Sequence, residues 1–147
     1  MRILVLHGPN LELLGRREPG YYGAQTLEEI DAALTALGRE FGVDVETAQY
    51  ADEEAYTRAV AETPGRFDGL IVNPACYTHT STRIAAALAA AGLPYVEVHL
   101  SNPYAREEFR TRSHVAAGAL GRVMGFKGDS YLLALRGLIA HLQAGRR

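Results

Sequence analysis

The chain contains a single cysteine, Cys76, among 147 residues. An internal disulfide framework and a cysteine-based metal site are therefore excluded, and the composition suits a reducing compartment. Its five histidines form no H-x-x-x-H pair, so no zinc-binding helix is encoded. No apolar run is long enough to span a bilayer, and the apolar part of the opening MRILVLHGPN is too short for a signal peptide; a cytoplasmic location is expected. A formal net charge of −2, with Lys and Arg spread rather than clustered, leaves no footprint for nucleic acid. The phosphate-binding patterns G-x-x-x-x-G-K-[ST] and G-x-G-x-x-G are also missing, so no nucleotide or dinucleotide cofactor is indicated. With 48% hydrophobic and 22% charged residues, and neither repeats nor low-complexity linkers, residues 1–147 are expected to form one domain.

What is present alternates regularly. RILVLH (2–7) reads as a buried strand, followed by a polar loop from Gly8 to Gly23 whose glycines and prolines argue against regular structure. Thr26 and Glu29 form a capping box, and Leu27, Ile30, Leu34, Leu37 and Phe41 mark one face of a helix that stops at Gly42. VDVETAQ is a second strand, 53–63 a helix, GLIVN a third strand, and Thr80–Ala91 a helix closed by Gly92 and Pro94. YVEVHLS is a fourth strand and AREEFR a short helical turn. ALGRVMGF is a fifth strand, and Ser130–Gln143 a last helix with Tyr131, Leu135, Leu138 and Leu142 on one face. The apolar runs suit strands covered on both faces. Five strands alternating with helices predict an α/β, flavodoxin-like, doubly wound five-stranded parallel sheet in the order 2-1-3-4-5. In that order the loops after strands one, three and four meet where such sheets bind ligands.

Each of those loops carries chemistry. The first, HGPNLELLGRREPGYYG, offers Asn10, Arg16, Arg17, Glu18, Tyr21 and Tyr22. It exceeds the usual loop length and reads equally as a lid closing over a small anion or as a surface loop with solvated charges. In NPACYTHTS, Asn73, Tyr77, Thr78, His79, Thr80 and Ser81 precede a helix N-terminus, where free amides favour anions; ordinary capping also explains Thr80 and Ser81, and His79 can be a partly buried structural residue. In VEVHLS, Glu97 and His99 share a strand face. Burying both is costly unless they pair or function, and a carboxylate that fixes the tautomer of a histidine suits it to act as a general acid. Arg106 and Arg110, four residues apart, either grip a carboxylate from one helix face or stand solvated beside Glu107 and Glu108. Together these groups suggest proton-transfer chemistry on a small polar anion.

Four segments, GPNLELLGRREPGYYG (8–23), NPACYTHTS (73–81), EVHLSN (97–102) and AREEFR (105–110), resemble the motifs of the type II 3-dehydroquinate dehydratases, and the resemblance extends over nearly the whole chain. It implies a flavodoxin-like subunit, assembled as trimers packed into a homododecamer. The implied reaction is elimination of water from 3-dehydroquinate to give 3-dehydroshikimate, without metal or organic cofactor. Carried over by motif, Tyr22 takes the place of the general base and Arg17 that of the lid arginine stabilising tyrosinate and enolate. His99 takes the place of the general acid, held by Glu97, and Asn10 matches the amide of the GPN turn. Asn73, His79, Leu100, Ser101 and Arg110 match substrate-binding positions, and Arg106 matches a second arginine near the tyrosine. A phenol ionising at pH ~7 instead of ~10 needs roughly 4 kcal/mol of help, and one nearby cation supplies about 1 to 3 pKa units, so two arginines at such a base are physically reasonable.

The chain also departs from the family pattern. Glu12 stands where asparagine is frequent, Gln49-Tyr50-Ala51-Asp52-Glu53-Glu54 replaces a common QSNHEG, and Pro103-Tyr104 replaces the usual pair before AREEFR. Ala86 occupies the place of an aspartate that reaches a neighbouring subunit's substrate. Two other readings remain: a paralogue dehydrating a related cyclic hydroxy-ketone, and a non-catalytic flavodoxin-like binding module.

Overall fold

A computed structural model describes residues 1–16 and 18–146; Arg17, expected in the lid, lies outside the described residues. The elements run β1 (Arg2–His7), α1 (Pro19–Tyr22), α2 (Leu27–Glu40), β2 (Asp44–Gln49), α3 (Glu53–Ala61), β3 (Gly69–Asn73), α4 (Thr82–Ala91), β4 (Tyr95–His99), β5 (Gly121–Met124) and α5 (Asp129–Ala144). The strands form one parallel sheet in the order β2-β1-β3-β4-β5, the flavodoxin-like order expected from the alternation of elements. Among the described residues no helix is long and apolar enough to cross a membrane.

The period of two along a strand sorts side chains between two cores. Ile3 and Val5 of β1, Ile71 of β3, and Val96 and Val98 of β4 pack with Leu27, Ile30 and Leu34 of α2 and with Tyr131, Leu135 and Leu138 of α5. Leu4 and Leu6, with Leu70 and Val72, face the other way onto Tyr56 and Val60 of α3 and Ile84 and Leu88 of α4. Every residue of β3 and β4 is buried, which is why these strands are continuous apolar runs up to the point where Asn73, Glu97 and His99 appear.

Local signals set the helix ends. Thr26 Oγ1 accepts from Glu29 N at 3.2 Å and donates to Glu29 Oε1 at 3.2 Å, the expected capping box with its hydroxyl turned onto the glutamate. Gly92 closes α4 in the left-handed region at φ 71°, its N–H donating to Leu88 O. Other boundaries differ from expectation. α4 begins at Thr82, because Ser81 Oγ caps Ile84 N at 3.0 Å and Ala75–His79 before it form a 3-10 turn. The loop from Gly8 to Gly23 is not irregular throughout. It holds a 3-10 turn at Leu11–Leu13 and the single turn α1; buried Leu11 and Leu14 pin it to the core, and Pro19 supplies a preset first helical residue. AREEFR is not one helical turn. Two 3-10 turns, Pro103–Ala105 and Glu108–Thr111, flank an extended Arg106, so the shared helix face expected for Arg106 and Arg110 does not exist. Phe41 lies beyond the end of α2 and is exposed.

The loops after β1 and β3 are in direct contact. Gly8 N donates to Asn73 O at 2.7 Å, and a Cβ on Gly8 would stand 2.6 Å from both C and O of Pro74, a backbone that cannot rotate away. Gly8→Ala is expected to destabilise the fold by about 1–3 kcal/mol through overpacking, measured as a lower urea midpoint with unchanged m-value. An unchanged midpoint would show that the two loops separate freely.

Candidate active site

The polar ends of β1, β3 and β4 open into one cleft of about 240 Å³, lined in part by Asn10, Tyr22, Asn73, His79, His99, Leu100, Ser101, Arg106 and Arg110. Parallel strands side by side place the loops at their carboxyl ends together, and Asn10, Asn73 and His99 follow or end the three neighbouring strands. Nine of the eleven site residues expected from sequence thus meet here; Glu97 sits behind the wall, and Arg17 is outside the described residues. Arg106 and Arg110 both reach the cleft although they share no helix face. Among the described residues no group of three or more His, Cys, Asp or Glu is placed to hold a metal ion.

Two pairs define the walls. On one side Arg106 Nη1 donates to Tyr22 Oη at 2.8 Å and approaches Ser101 Oγ at 3.4 Å. The Arg106 guanidinium carbon also lies 4.4 Å from the Tyr21 ring centroid and 5.4 Å from that of Tyr22. The Arg106 side chain is only 8% exposed, and among the described residues its Nε is buried without a hydrogen-bond acceptor. A desolvated cation with an unused donor favours an anionic ligand. Arg110 adds a second cation, with Nε on Glu107 at 2.5 Å.

On the other side His99 Nε2 meets Glu97 Oε2 at 2.5 Å. Nε2 is therefore the donor to the carboxylate, and Nδ1 is the ring nitrogen left for the cleft. Glu97 is 0% exposed. Thr78 Oγ1 donates to Oε2 at 2.9 Å, Ser113 Oγ stands 2.9 Å from both oxygens, and Arg122 Nε donates to Oε1 at 2.9 Å. Burial alone would raise the carboxyl, but His99, Arg122 and Thr78 outweigh it and hold it down to about 2. His79 donates from Nδ1 to Arg112 O at 2.8 Å; partial burial pushes its pKa down against that hydrogen bond, with help from His99 and Arg110.

Sequence reading missed a third network. Asn73 Nδ2 donates to Tyr131 Oη at 2.9 Å, His7 Nδ1 lies 2.9 Å from that oxygen, and His7 Nε2 lies 2.7 Å from Asp31 Oδ1. Because a carboxylate only accepts, a neutral His7 donates from Nε2 and accepts the Tyr131 hydroxyl at Nδ1. Asn73 Oδ1 accepts from Ala75 N at 3.1 Å, so both ends of the amide are oriented. That contact holds Ala75 at φ 54°, a left-handed conformation costing an L-residue about 1–2 kcal/mol. Ala75 and Cys76 also line the cleft. The only advance signs were a polar His7 ending an apolar strand and a tyrosine on the core face of the last helix.

The family model described as "Dehydroquinase class II" matches residues 1–139. The chain belongs to this family. It is 51% identical over 143 residues to the 3-dehydroquinate dehydratase of Geotalea daltonii, covering 97% of this chain and 99% of the relative. Among solved structures, the type II dehydroquinase of Propionibacterium acnes superposes with a TM-score of 0.88 at 43% identity, covering 93% and 94% of the two chains. That of Butyrivibrio crossotus gives 0.91 at 35% identity, covering 94% and 97%. Within this class II dehydroquinase chain, Gln49 Nε2 donates to Glu12 Oε2 at 2.5 Å, so the departure at Glu12 touches the glutamine that opens the altered 49–54 segment, and Ala86 is exposed on α4.

The Glu97 cluster ties acid stability to the site. Its folded-state pKa lies below the unfolded value, so its stabilisation is fully present above about pH 4.5 and fades as pH falls toward 2. Glu97→Gln leaves the Arg122 charge without a counterion and is expected to cost about 3–5 kcal/mol at pH 7. Urea unfolding from pH 7 to 2 should show the gap between wild type and variant narrowing below pH 4.5. A constant gap would mean that Glu97 is not the titrating group.

Proposed function

We propose that the chain is a type II 3-dehydroquinate dehydratase in which Tyr22 is the base and His99 the acid. The observation that carries this reading is the meeting of Tyr22, bonded to Arg106, and His99, bonded to Glu97, in one cationic cleft. Tyr22, as phenolate, removes a proton alpha to the ketone, and the electron pair moves to the carbonyl oxygen as an enolate. Arg17 and Asn10 stabilise this charge, which exists only after the proton leaves, so they favour the transition state over the ground state. As the enolate collapses, the carbon–oxygen bond to the departing hydroxyl breaks, and His99 Nδ1 supplies the proton that makes it water. Exchange with solvent then restores Tyr22 and His99. Ser101 and the Leu100 backbone receive the substrate carboxylate, with Arg110, Arg106, His79 and Asn73 binding the remaining polar groups.

Enone absorbance in the ultraviolet should grow when the purified protein meets 3-dehydroquinate. Tyr22→Phe and His99→Ala are each expected to lower kcat by about 10² to 10⁴-fold while keeping the folded circular-dichroism spectrum, with His99→Ala unfolding at a lower temperature because buried Glu97 loses a donor. A variant that retains near-normal turnover loses its assigned role.

The proposed assembly is a homododecamer of trimers, in which Ala86, exposed on α4, faces a neighbour's cleft. An alanine accepts no hydrogen bond there, and a charged hydrogen bond contributes ~1.5 to 3 kcal/mol, equivalent to about 10 to 100-fold in kcat/KM. Ala86→Asp is expected to raise kcat/KM for 3-dehydroquinate by up to that factor, with the mass by light scattering remaining that of twelve chains. Lower activity in an intact assembly would favour a site adapted to a related cyclic hydroxy-ketone.

A further inference from the structure

Glu97 has a second charged partner, on the side away from the cleft. Glu97 and Arg122 are direct neighbours in the register between β4 and β5. Arg122 Nε donates to Oε1 at 2.9 Å and Nη2 reaches Oε2 at 3.4 Å. The Arg122 side chain is 17% exposed and Glu97 has no exposure, so the pair is poorly screened by water. Arg122 is absent from the lining of the cleft, and any influence on the reaction must pass through Glu97.

A general acid has two requirements that conflict. It must carry its proton at working pH, and it must surrender that proton when the leaving group departs. A buried carboxylate whose only charged partner were His99 would hold the imidazolium too firmly for the second. Arg122 supplies a permanent positive charge to the same carboxylate, so Glu97 orients the His99 ring while its attraction for the proton is partly spent elsewhere. The other groups facing this pair do not replace that charge. Thr78 and Ser113 are neutral donors, Tyr56 and Tyr95 are phenols held in their neutral form by burial, and His79 and Arg110 lie toward the cleft.

We propose that Arg122 is a positioning residue that neutralises Glu97 from behind, leaving His99 free to release its proton to the departing hydroxyl. This rests on the dehydratase reading for its chemistry but not for its geometry. Two variants test it: Arg122→Met removes the charge and the donor, and Arg122→Gln removes the charge while keeping an amide donor. In both, kcat is expected to fall about tenfold, with KM within threefold of wild type. The basic limb of the kcat profile should move up by about one pH unit, equivalent to tenfold tighter proton holding, and Arg122→Lys should restore most of both. Independently of turnover, the His99 ring resonances, assigned with His99→Ala, should titrate at higher pH in Arg122→Gln than in wild type. If the limb and the resonances stay in place or move to lower pH, or if Arg122→Lys behaves like Arg122→Met, the proposal is overturned. An active wild type with unmoved variants defeats this inference alone. An inactive wild type whose His99 still shifts defeats the dehydratase reading alone.

Discussion

An ionised carboxylate with no solvent exposure exists only where protein donors replace its hydration, and Glu97 draws those donors from four separate places. His99 comes from its own strand, Arg122 from β5, Thr78 from the turn after β3, and Ser113 from the segment between the 3-10 turns and β5. An unpaired buried charge costs on the order of several kcal/mol, so these segments must be correctly placed together. The register of β4 on β5, the path of the turn after β3 and the approach of the 112–115 segment are therefore coupled through one side chain. The same side chain decides which nitrogen His99 turns toward the cleft, joining the stability of this edge of the sheet to the chemistry in front of it.

A second network runs from Asp31 through His7 and Tyr131 to Asn73, which lines the cleft. It links α2, β1, α5 and β3, and its hydrogen bonds run in one direction because a carboxylate ends it. The cleft also carries Arg106 and Arg110, and the Arg106 side chain, only 8% exposed, is withdrawn from water, where its charge acts more strongly than at an exposed surface. Gly8, pressed against Pro74, keeps the loop after β1 close to the loop carrying Asn73 and His79. Oriented donors and a desolvated cation suit the proposed reaction, whose charge appears only during the event.

Most of the architecture was legible in the sequence. The capping box at Thr26, the stop at Gly92 and the apolar runs of β1, β3 and β4 lie where pattern reading placed them, and the strand order followed from the alternation. The pairing of Glu97 with His99 was legible because residues two apart in a strand share a face. Arg106 and Arg110 were expected in the site from the family resemblance, whereas their spacing left open a shared helix face that the structure does not uphold: Asn102 and Pro103 start a separate turn, and Arg106 leaves it extended, so tertiary placement brings both to the cleft. The glycines and prolines of the loop after β1 argue against regular structure, while buried Leu11 and Leu14 and the initiating Pro19 give it local turns.

Neighbouring residues settle caps, stops and strand faces among themselves, through interactions within about four positions along the chain. Packing of distant segments is what sets Arg122 behind Glu97, turns His7 and Tyr131 onto Asn73, and brings Arg106 to Tyr22. Those partners are separated by 25, 124, 58 and 84 positions respectively for Arg122–Glu97, His7–Tyr131, Asn73–Tyr131 and Arg106–Tyr22. Their meeting depends on strand register and on the crossovers that carry the chain from one edge of the sheet to the other, and a buried charge or amide selects its partner only after packing has brought the candidates within reach.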